Sequence, residues 1–222
     1  MVKTQTEAEC AELRRLLPSY ADYMHRHPQS WLVRFYGMYC VRCQPGTRPV
    51  YFVVMNNVFD TRQQLSERYD LKGSTVGRLT ADARGSAILK DLDLLRSTSR
   101  VRVGASRRHS LLEQLRQDAL FLSERSYIDY SLLLGIHRPR LPMIARLARA
   151  LGLRRRRTDG VLGRRGRDLY YMGVIDILQK YTPRKFAETC LKALRYPVWG
   201  VSCIWPSAYC RRFCEFAGQV VE

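Results

Sequence analysis

The sequence predicts an α+β fold with a small lobe and a larger one. Three observations lead to this prediction: an amphipathic helix pattern near the N-terminus, two aromatic and β-branched segments joined by a Pro-Gly turn, and two nearly continuous apolar runs later in the chain. The 222 residues, of which 46% are hydrophobic, suffice for one domain with its own core or for two small lobes that share one. We expect the first helix to pack against the hairpin, and a short antiparallel sheet with helices to form the larger lobe.

The small lobe is predicted to comprise residues 1–55. Residues 6–20 carry leucine and tyrosine at helical spacing and glutamates in the N-terminal half, which is typical of an amphipathic helix. Residues 31–43 and 50–55 have the composition of strands, and the turn signal at residues 44–47 separates them. These two strands should pair as a hairpin.

The larger lobe is predicted to comprise residues 56–222. A short strand is expected at residues 69–73, which end at a glycine turn. Residues 110–123 carry an apolar stripe at helical spacing, which predicts a buried helix. Residues 127–136 and 170–178 are nearly all apolar and should also be buried. The stripe of the predicted helix consists of Leu111, Leu112, Leu115, Ala119 and Leu122.

An isolated acid lies in each of the two apolar runs, Asp129 in the first and Asp176 in the second. A buried carboxylate is costly unless it meets a cation, a metal ion or several hydrogen-bond donors. In one interpretation each aspartate caps backbone amides. In the other, both take part in chemistry together with Lys72, which lies beside a glycine turn where a phosphate can approach closely.

Phosphoryl transfer from ATP would use such a set of residues. It needs a cation on the nucleotide phosphates, a carboxylate for Mg²⁺, and a carboxylate that orients and deprotonates the attacking hydroxyl. Lys3 and Lys72 are the candidate cations, Asp129 the candidate base and Asp176 the candidate metal ligand.

Glu9 and Met55 are two further candidates for the nucleotide site. Lys3 precedes an acidic helix, in which Glu9 is its expected partner and Glu12 the second choice. Residues 53–57, which include Met55, would connect the lobes and present their backbone to an adenine edge.

Basic residues dominate the charge balance: 38 Lys and Arg against 20 Asp and Glu give a net charge of +18. This charge favours a polyanionic partner, whether nucleic acid, nucleotide or an anionic membrane. Residues 138–168 form an arginine-rich insert, interpreted either as an interfacial helix attracted to acidic lipids or as a solvated insertion. An RNA-binding protein is a third interpretation, but the common glycine-aromatic signatures of RNA modules are missing, and no specific nucleic acid is expected.

The cysteine content and hydropathy indicate a cytoplasmic protein that is soluble or peripheral to membranes. No stretch approaches the roughly 20 apolar residues that cross a bilayer, and the N-terminus lacks an apolar signal core. Seven cysteines without such a signal suggest reduced thiols. Cys40 and Cys43 have a metal-knuckle spacing, but the strand pattern around them favours ordinary half-buried strand cysteines.

Taken in order, several motifs resemble the phosphatidylinositol phosphate kinase family. The resemblance spans nearly the whole chain except the arginine-rich insert, and the motifs DLKGST and DYSLLLGIH together are highly specific. The matching segments are residues 2–4, 34–39, 53–57, 69–75 (YDLKGST), 89–94 (LKDLDL), 128–137 (IDYSLLLGIH) and 171–179 (YMGVIDILQ), followed by Val201, Ser202, Pro206, Tyr209, Arg212 and Phe213.

The resemblance implies a two-lobed lipid-kinase fold of the SAICAR synthase-like type that phosphorylates a membrane phosphoinositide with ATP and Mg²⁺. Lys3 and Lys72 would then meet the ATP phosphates, in a site that Glu9 and Met55 complete. Asp129 would serve the catalytic role of its motif. Asp176 would stand where protein kinases keep a metal-binding aspartate.

The resemblance also implies a substrate. Arg184 and Lys185 lie near the basic pair of the family's specificity loop, although Phe186 stands where a further lysine is common. Glu188 matches the acidic residue that accompanies 5-kinase activity on the 4-phosphate. The expected substrate is therefore phosphatidylinositol 4-phosphate in an anionic membrane, and the expected product is the 4,5-bisphosphate.

A flat basic face should hold such an enzyme at the cytoplasmic side of a membrane, since each basic residue near the surface contributes about 1 kcal/mol. The aromatic residues that follow the specificity loop are either interfacial anchors or part of the C-terminal core. The candidate basic residues are Arg184, Lys185, Lys192 and Arg195, and the candidate anchors are Tyr196, Val198, Trp199 and Trp205.

One departure from the family pattern concerns Lys3, which has only two residues before it. The strands and the glycine-rich loop that precede this lysine in the family are missing from the sequence. Lys3 should then be frayed, and its pairing with Glu9 weak. The chain is expected to be part of a longer polypeptide or, alternatively, a catalytically weak or inactive module, derived from a kinase, that binds anionic membranes.

Overall fold

Two antiparallel sheets with flanking helices build the computed structural model, which describes residues 1–81, 87–138, 160–163 and 168–222. This confirms the predicted α+β class. Nearly all of the arginine-rich insert lies outside the described residues. The two interpretations of the insert, as an interfacial helix or a solvated insertion, therefore stay predictions.

The first sheet contains β1 (Val2–Gln5), β2 (Phe35–Val41) and β3 (Val50–Met55) in the order β1-β3-β2. The predicted hairpin of β2 and β3 is confirmed. Contrary to prediction, Lys3 is not frayed. It lies in β1 opposite Val53 of β3, and this backbone pairing holds the strand in place.

Helix α1 (Glu7–Arg26) follows β1 and is longer than the predicted residues 6–20. It begins with a capping box in which Thr6 and Glu9 satisfy each other's backbone amides. It continues past the leucine stripe because Tyr23 is buried and stacks on Phe121, with 4.2 Å between the ring centroids. That contact is distant in sequence and could not be read from local periodicity.

The second sheet contains β4 (Glu67–Leu71), β5 (Ser131–His137), β6 (Val161–Leu162) and β7 (Leu169–Ile175), in the order β4-β5-β7-β6. All of its strand pairs are antiparallel. Strand β5 lies between β4 and β7 and is buried along nearly its whole length, which explains its continuous apolar sequence.

The larger helices of the second part of the chain are α3 (Ala105–Glu124) and α5 (Pro206–Val220), which pack against each other. The predicted leucine stripe of α3 faces the core, with Leu112 half-buried and its other members buried. Two shorter helices, α2 (Asp91–Arg96) and α4 (Pro183–Ala193), and a 3₁₀ turn at Val198–Gly200 complete the described elements.

The segment between β3 and β4 crosses the second sheet at two glycines. A Cβ atom on Gly173 would lie 2.7 Å from Val58, and one on Gly135 would lie 2.7 Å from the ring of Phe59. Both distances are shorter than a carbon–carbon contact allows. These strands therefore need glycine where the connecting segment passes over them.

Two buried carboxylates join α1 to the rest of the molecule. Asp118 of α3 accepts hydrogen bonds from the Tyr23 hydroxyl and the Trp31 amide, both at 2.7 Å, and its burial raises its pKa. Glu12 of α1 accepts a bond of 2.8 Å from the Tyr127 hydroxyl. Because both carboxylates are satisfied, they fix α1 in place rather than destabilise the core.

The cysteine prediction was only partly right. Cys40 lies in β2, but Cys43 lies beyond the end of that strand, and both thiols are exposed rather than half-buried. Within the described residues, no helix is both long enough and apolar enough to cross a membrane.

Replacing Glu12 should reveal its contribution to stability. Burial raises the pKa of this carboxyl, but hydrogen bonds from Tyr127, Lys180 and Arg15 outweigh that effect, and the pKa lies below the ordinary value of 4.5. The stabilisation is therefore present above pH 4.5 and is lost as the pH falls through the folded-state pKa. We expect Glu12→Gln to lower the free energy of unfolding by about 1–2 kcal/mol at pH 7.

Urea denaturation between pH 7 and pH 3 would measure this effect, and the difference from the unchanged protein should shrink on acidification. Glu124→Gln is the control, because that side chain is 71% exposed and its nearest cation is 3.5 Å away. A constant difference across the pH range would contradict the assignment.

Candidate active site

Two aspartates lie at the same end of the second sheet. Ser131 at the start of β5 pairs with Ile175 at the end of β7, so Asp129 and Asp176 just beyond them share one edge. Both have left-handed backbone conformations, with φ of 63° and 59°. Such conformations are strained for residues other than glycine, although Asp tolerates them better than most, and they occur preferentially at functional sites.

Each aspartate forms an ion pair with one lysine. Lys72 Nζ lies 2.8 Å from Asp129 Oδ1, and Lys3 Nζ lies 2.5 Å from Asp176 Oδ1. Among the described residues neither carboxylate caps a backbone amide, so the capping interpretation of these two acids is wrong.

The expected pair of Lys3 with Glu9 is also wrong. The Glu9 carboxylate accepts hydrogen bonds from the backbone amide and the hydroxyl of Thr6, at 2.7 and 2.8 Å. These bonds are part of the capping box that starts α1, which local sequence alone dictates. Glu12, the second choice, is turned towards Tyr127 instead.

A cleft of about 270 Å³ brings most of the predicted residues together. Its apolar wall comes from Met55, whose side chain is buried, and from four other residues, Val33, Phe35, Ile177 and Leu178. Both backbone groups of Met55 are bonded to Met1, so it faces the cleft with its side chain and not with its amide, contrary to expectation. The predicted site residues on the cleft wall are Lys3, Glu9, Met55, Lys72, Asp129 and Asp176.

Val33 and Phe35 were not among the predicted site residues. Residues 31–43 were predicted to form one strand, whereas residues 31–33 pair with the second sheet, through bonds of 2.7 and 2.8 Å to the backbone of Val174. This pairing lies beside Asp176 and turns the chain between the two sheets. Strand β2 therefore begins only at Phe35, after this pairing ends. No local signal in the sequence marks the point where the chain passes from the second sheet to the first.

The loop after Lys72 rests on the C-terminal part of the chain. Gly73 has φ of +70°, and a Cβ there would lie 3.1 Å from the Arg212 carbonyl oxygen. The amides of Thr75 and Val76 both donate to the Gly200 carbonyl at 3.0 Å. Helix α5 and the 3₁₀ turn therefore support the loop that carries Lys72.

The predicted specificity residues lie on α4, outside the cleft wall. Glu188 accepts hydrogen bonds from Lys185 at 2.8 Å and from Lys192 at 2.6 Å, which lower its pKa. The pKa of Lys185 is raised, chiefly by Glu188 and to a smaller extent by Asp129. Arg184 is exposed.

The family model described as phosphatidylinositol-4-phosphate 5-kinase matches residues 1–142 and 146–220. The chain belongs to this family. The resemblance seen in the sequence is thereby confirmed.

Three of the relatives are longer than the chain. It is 30% identical to a probable phosphatidylinositol phosphate kinase of Dictyostelium discoideum, with 100% of the chain and 39% of the relative covered. A phosphatidylinositol 4-phosphate 5-kinase of Plasmodium falciparum is 30% identical over 91% of the chain and 14% of the relative. Phosphatidylinositol 4-phosphate 5-kinase-like protein 1 of Homo sapiens is 34% identical over 100% of the chain and 62% of the relative. The chain therefore spans less than two thirds of each of these relatives.

Membership of this family implies ATP and Mg²⁺ as the molecules bound in the cleft. The carboxylates of Asp129 and Asp176 in the cleft fit the magnesium ion. Asp129 and Asp176 each bond a lysine through Oδ1, while their Oδ2 atoms accept no hydrogen bond from any described residue. The described residues contain no cluster of three His, Cys, Asp or Glu side chains suited to a metal. Mg²⁺ does not need one, since it is commonly held by one or two carboxylates together with substrate phosphates and water.

Comparing Gly73 with Gly77 should show whether helix α5 supports the Lys72 loop. Both have positive φ, of +70° and +69°, but a Cβ on Gly77 meets nothing within 4 Å. We expect Gly77→Ala to lose about 1 kcal/mol of stability from backbone strain. Gly73→Ala should lose about 1–3 kcal/mol more, because its new methyl group presses on α5.

Urea denaturation of the two variants measures the difference directly. Equal losses would contradict a supporting role for α5.

Proposed function

We propose that this chain is the catalytic region of a lipid kinase that transfers the γ-phosphate of ATP to the 5-hydroxyl of phosphatidylinositol 4-phosphate, giving the 4,5-bisphosphate. The observation that carries the proposal is the convergence of two lysine–carboxylate pairs on one cleft. Phosphoryl transfer depends mainly on positioning and on electrostatic stabilisation, which such a set of charges supplies.

Each charged residue has a role in this proposal. Asp129 orients the inositol hydroxyl and accepts its proton as the oxygen attacks the γ-phosphorus, whose bond to the bridging oxygen breaks so that ADP leaves. Lys72 holds Oδ1 of Asp129 and extends towards the transferred phosphate, while Lys3 meets the other phosphates. Asp176 would hold Mg²⁺, with Asp129 beside it. The bound ion would offset the negative charge of the triphosphate.

The apolar wall of the cleft suits the adenine. Met55 is buried at the end of β3, where the chain leaves the first sheet. The proposal therefore places ATP between two lobes, residues 1–55 and 56–222, with the first sheet in one and the second sheet in the other. Glu9 lines this space but is bonded to Thr6, so its part is to fix the start of α1 rather than to bind a phosphate.

Helix α4 and the two residues that follow it, Leu194 and Arg195, support the membrane part of the proposal. Phe186, Leu191 and Leu194 are 60%, 69% and 85% exposed, which is unusual for large apolar side chains. Arg184 and Arg195 lie at the ends of the same segment. A helix with exposed apolar and basic side chains is suited to the interface of an anionic bilayer.

The four candidate anchors after α4 divide between the two interpretations. Val198 packs against the core, whereas Tyr196, Trp199 and Trp205 are 42–47% exposed. The three exposed rings are suited to the headgroup region. In this proposal Arg184 and Lys185 receive the 4-phosphate, and Glu188 sets the position of Lys185.

A second candidate is a membrane-binding module with little activity. It is favoured by the direct contact of Lys3 with Asp176, two side chains that are 43% and 40% exposed. Nucleotide and Mg²⁺ would have to separate this pair before either residue could act. A chain in which they stay together would still bind membranes through α4.

Transfer of radiolabel from ATP to vesicles containing phosphatidylinositol 4-phosphate tests the proposal. We expect the chain to form the labelled 4,5-bisphosphate and Asp129→Asn to lower the rate at least a hundredfold, because the hydroxyl loses its proton acceptor. Asp22→Asn, on the exposed side of α1, is the control and should be unaffected. Vesicle binding without label transfer would favour the second candidate.

Vesicle sedimentation tests the role of α4. We expect Leu191→Ser with Leu194→Ser to weaken binding to anionic vesicles about tenfold, since part of each side chain would no longer be removed from water. Leu17→Ser is the matched control, because Leu17 is 47% exposed on α1. Equal effects of the two changes would exclude α4 as the contact.

A further inference from the structure

Asp91, the first residue of α2, is a fully buried acid outside the cleft wall. Its Oδ1 accepts hydrogen bonds from two successive backbone amides, that of Lys72 at 2.8 Å and that of Gly73 at 2.6 Å. Its Oδ2 accepts a bond of 2.5 Å from Arg78 Nε. One carboxylate thus contacts both the turn that carries Lys72 and the far end of the same loop.

Arg78 closes this loop. Its Nη2 donates to the carbonyl oxygen of Asp70 and to the Asp70 carboxylate, the latter at 2.8 Å. The contacts between Arg78 and Asp70 therefore close residues 70–78 into a loop, and Lys72 is one of the residues of that loop. Burial would lower the pKa of Arg78, but Asp91 and Asp70 outweigh that effect and raise it.

The direction of Lys72 follows from these bonds. Its backbone leaves β4 at the point where Asp91 holds its amide, and its side chain reaches Asp129 from there. Two hydrogen bonds to one carboxylate oxygen restrict the backbone on both sides of Lys72. Without Asp91, the buried Arg78 guanidinium would lose one of its two carboxylate partners next to this turn, which is unfavourable.

We propose that Asp91 is a positioning residue for the Lys72 side chain. Its carboxylate fixes the turn from which Lys72 reaches Asp129. The consequence for catalysis rests on the proposed kinase function, while the consequence for Lys72 itself does not. Asp91 acts only through Lys72 and contacts no substrate.

Asp93 provides a matched control on the same helix. It also accepts several hydrogen bonds, from the Thr80 amide and hydroxyl and, at 2.8 Å, from the Lys90 amide. None of these donors belongs to residues 70–78. Asp93→Asn should therefore disturb α2 and its surroundings without redirecting Lys72.

The kinetic test compares Asp91→Asn with Asp93→Asn at a temperature where both are folded. An amide has a single acceptor oxygen, so Asp91→Asn can serve either the turn amides or Arg78, but not both. We expect its kcat to fall at least tenfold, with KM for ATP and lipid changing less than threefold, and Asp93→Asn to stay within twofold. A kcat loss in both variants that only follows their melting temperatures would overturn the proposal.

Arg78→Lys gives a second test if Asp91→Asn does not fold. A lysine keeps the charge but has no planar fork to hold both aspartates. We expect a kcat loss of about threefold to tenfold. An unchanged kcat in this variant would count against the proposal.

A spectroscopic test separates this proposal from the kinase function. The chain has six lysines, so reductive ¹³C-methylation gives few NMR signals, and Lys72→Arg identifies the signal of Lys72. We expect that signal to shift in Asp91→Asn and not in Asp93→Asn. A shift without any phosphoryl transfer by the unchanged chain would support the positioning role and contradict the kinase function. If the unchanged chain is active and Asp91→Asn changes neither kcat nor the NMR signal of Lys72, the positioning role is refuted and the kinase function is not.

Discussion

The antiparallel pairing of β5 with β7 is the constraint on which the rest of the site depends. Antiparallel neighbours begin and end at the same edge, so this register places Asp129 and Asp176 side by side although 46 residues separate them in sequence. A slip of two residues would move one aspartate about 7 Å along the sheet. The apolar side chains of both strands prevent such a slip, because they are buried in one core.

The first sheet can contribute to the cleft because its connections are attached to the second sheet. Residues 31–33 pair with Val174 of β7, and residues 58–59 pass over Gly173 and Gly135. The buried carboxylates of Asp118 and Glu12 fix α1 against the same body. The backbone of residues 31–33, which leads to Phe35 in the cleft wall, is therefore hydrogen-bonded to β7, the strand that ends beside Asp176.

Much of the architecture could be predicted from the sequence. The hairpin, the α3 helix and the buried strands each leave a local pattern, and the two isolated aspartates stand out because acids are rare in apolar runs. The motifs identified the family, which the comparisons confirm. The pairing of Lys3 with Asp176 was not predictable, because the structure brings this aspartate to the lysine from 173 residues away.

By itself, the sequence determined what depends on neighbouring residues: the periodicity of helices and strands, the turn between β2 and β3, the capping box at Thr6, and the family motifs. Only the tertiary structure decided which side chains meet, including Lys3 with Asp176 and Asp91 with the turn at Lys72. The physical reason is range. Backbone preferences act over a few residues, while an ion pair needs its two groups within about 4 Å in space, and strand register sets that distance.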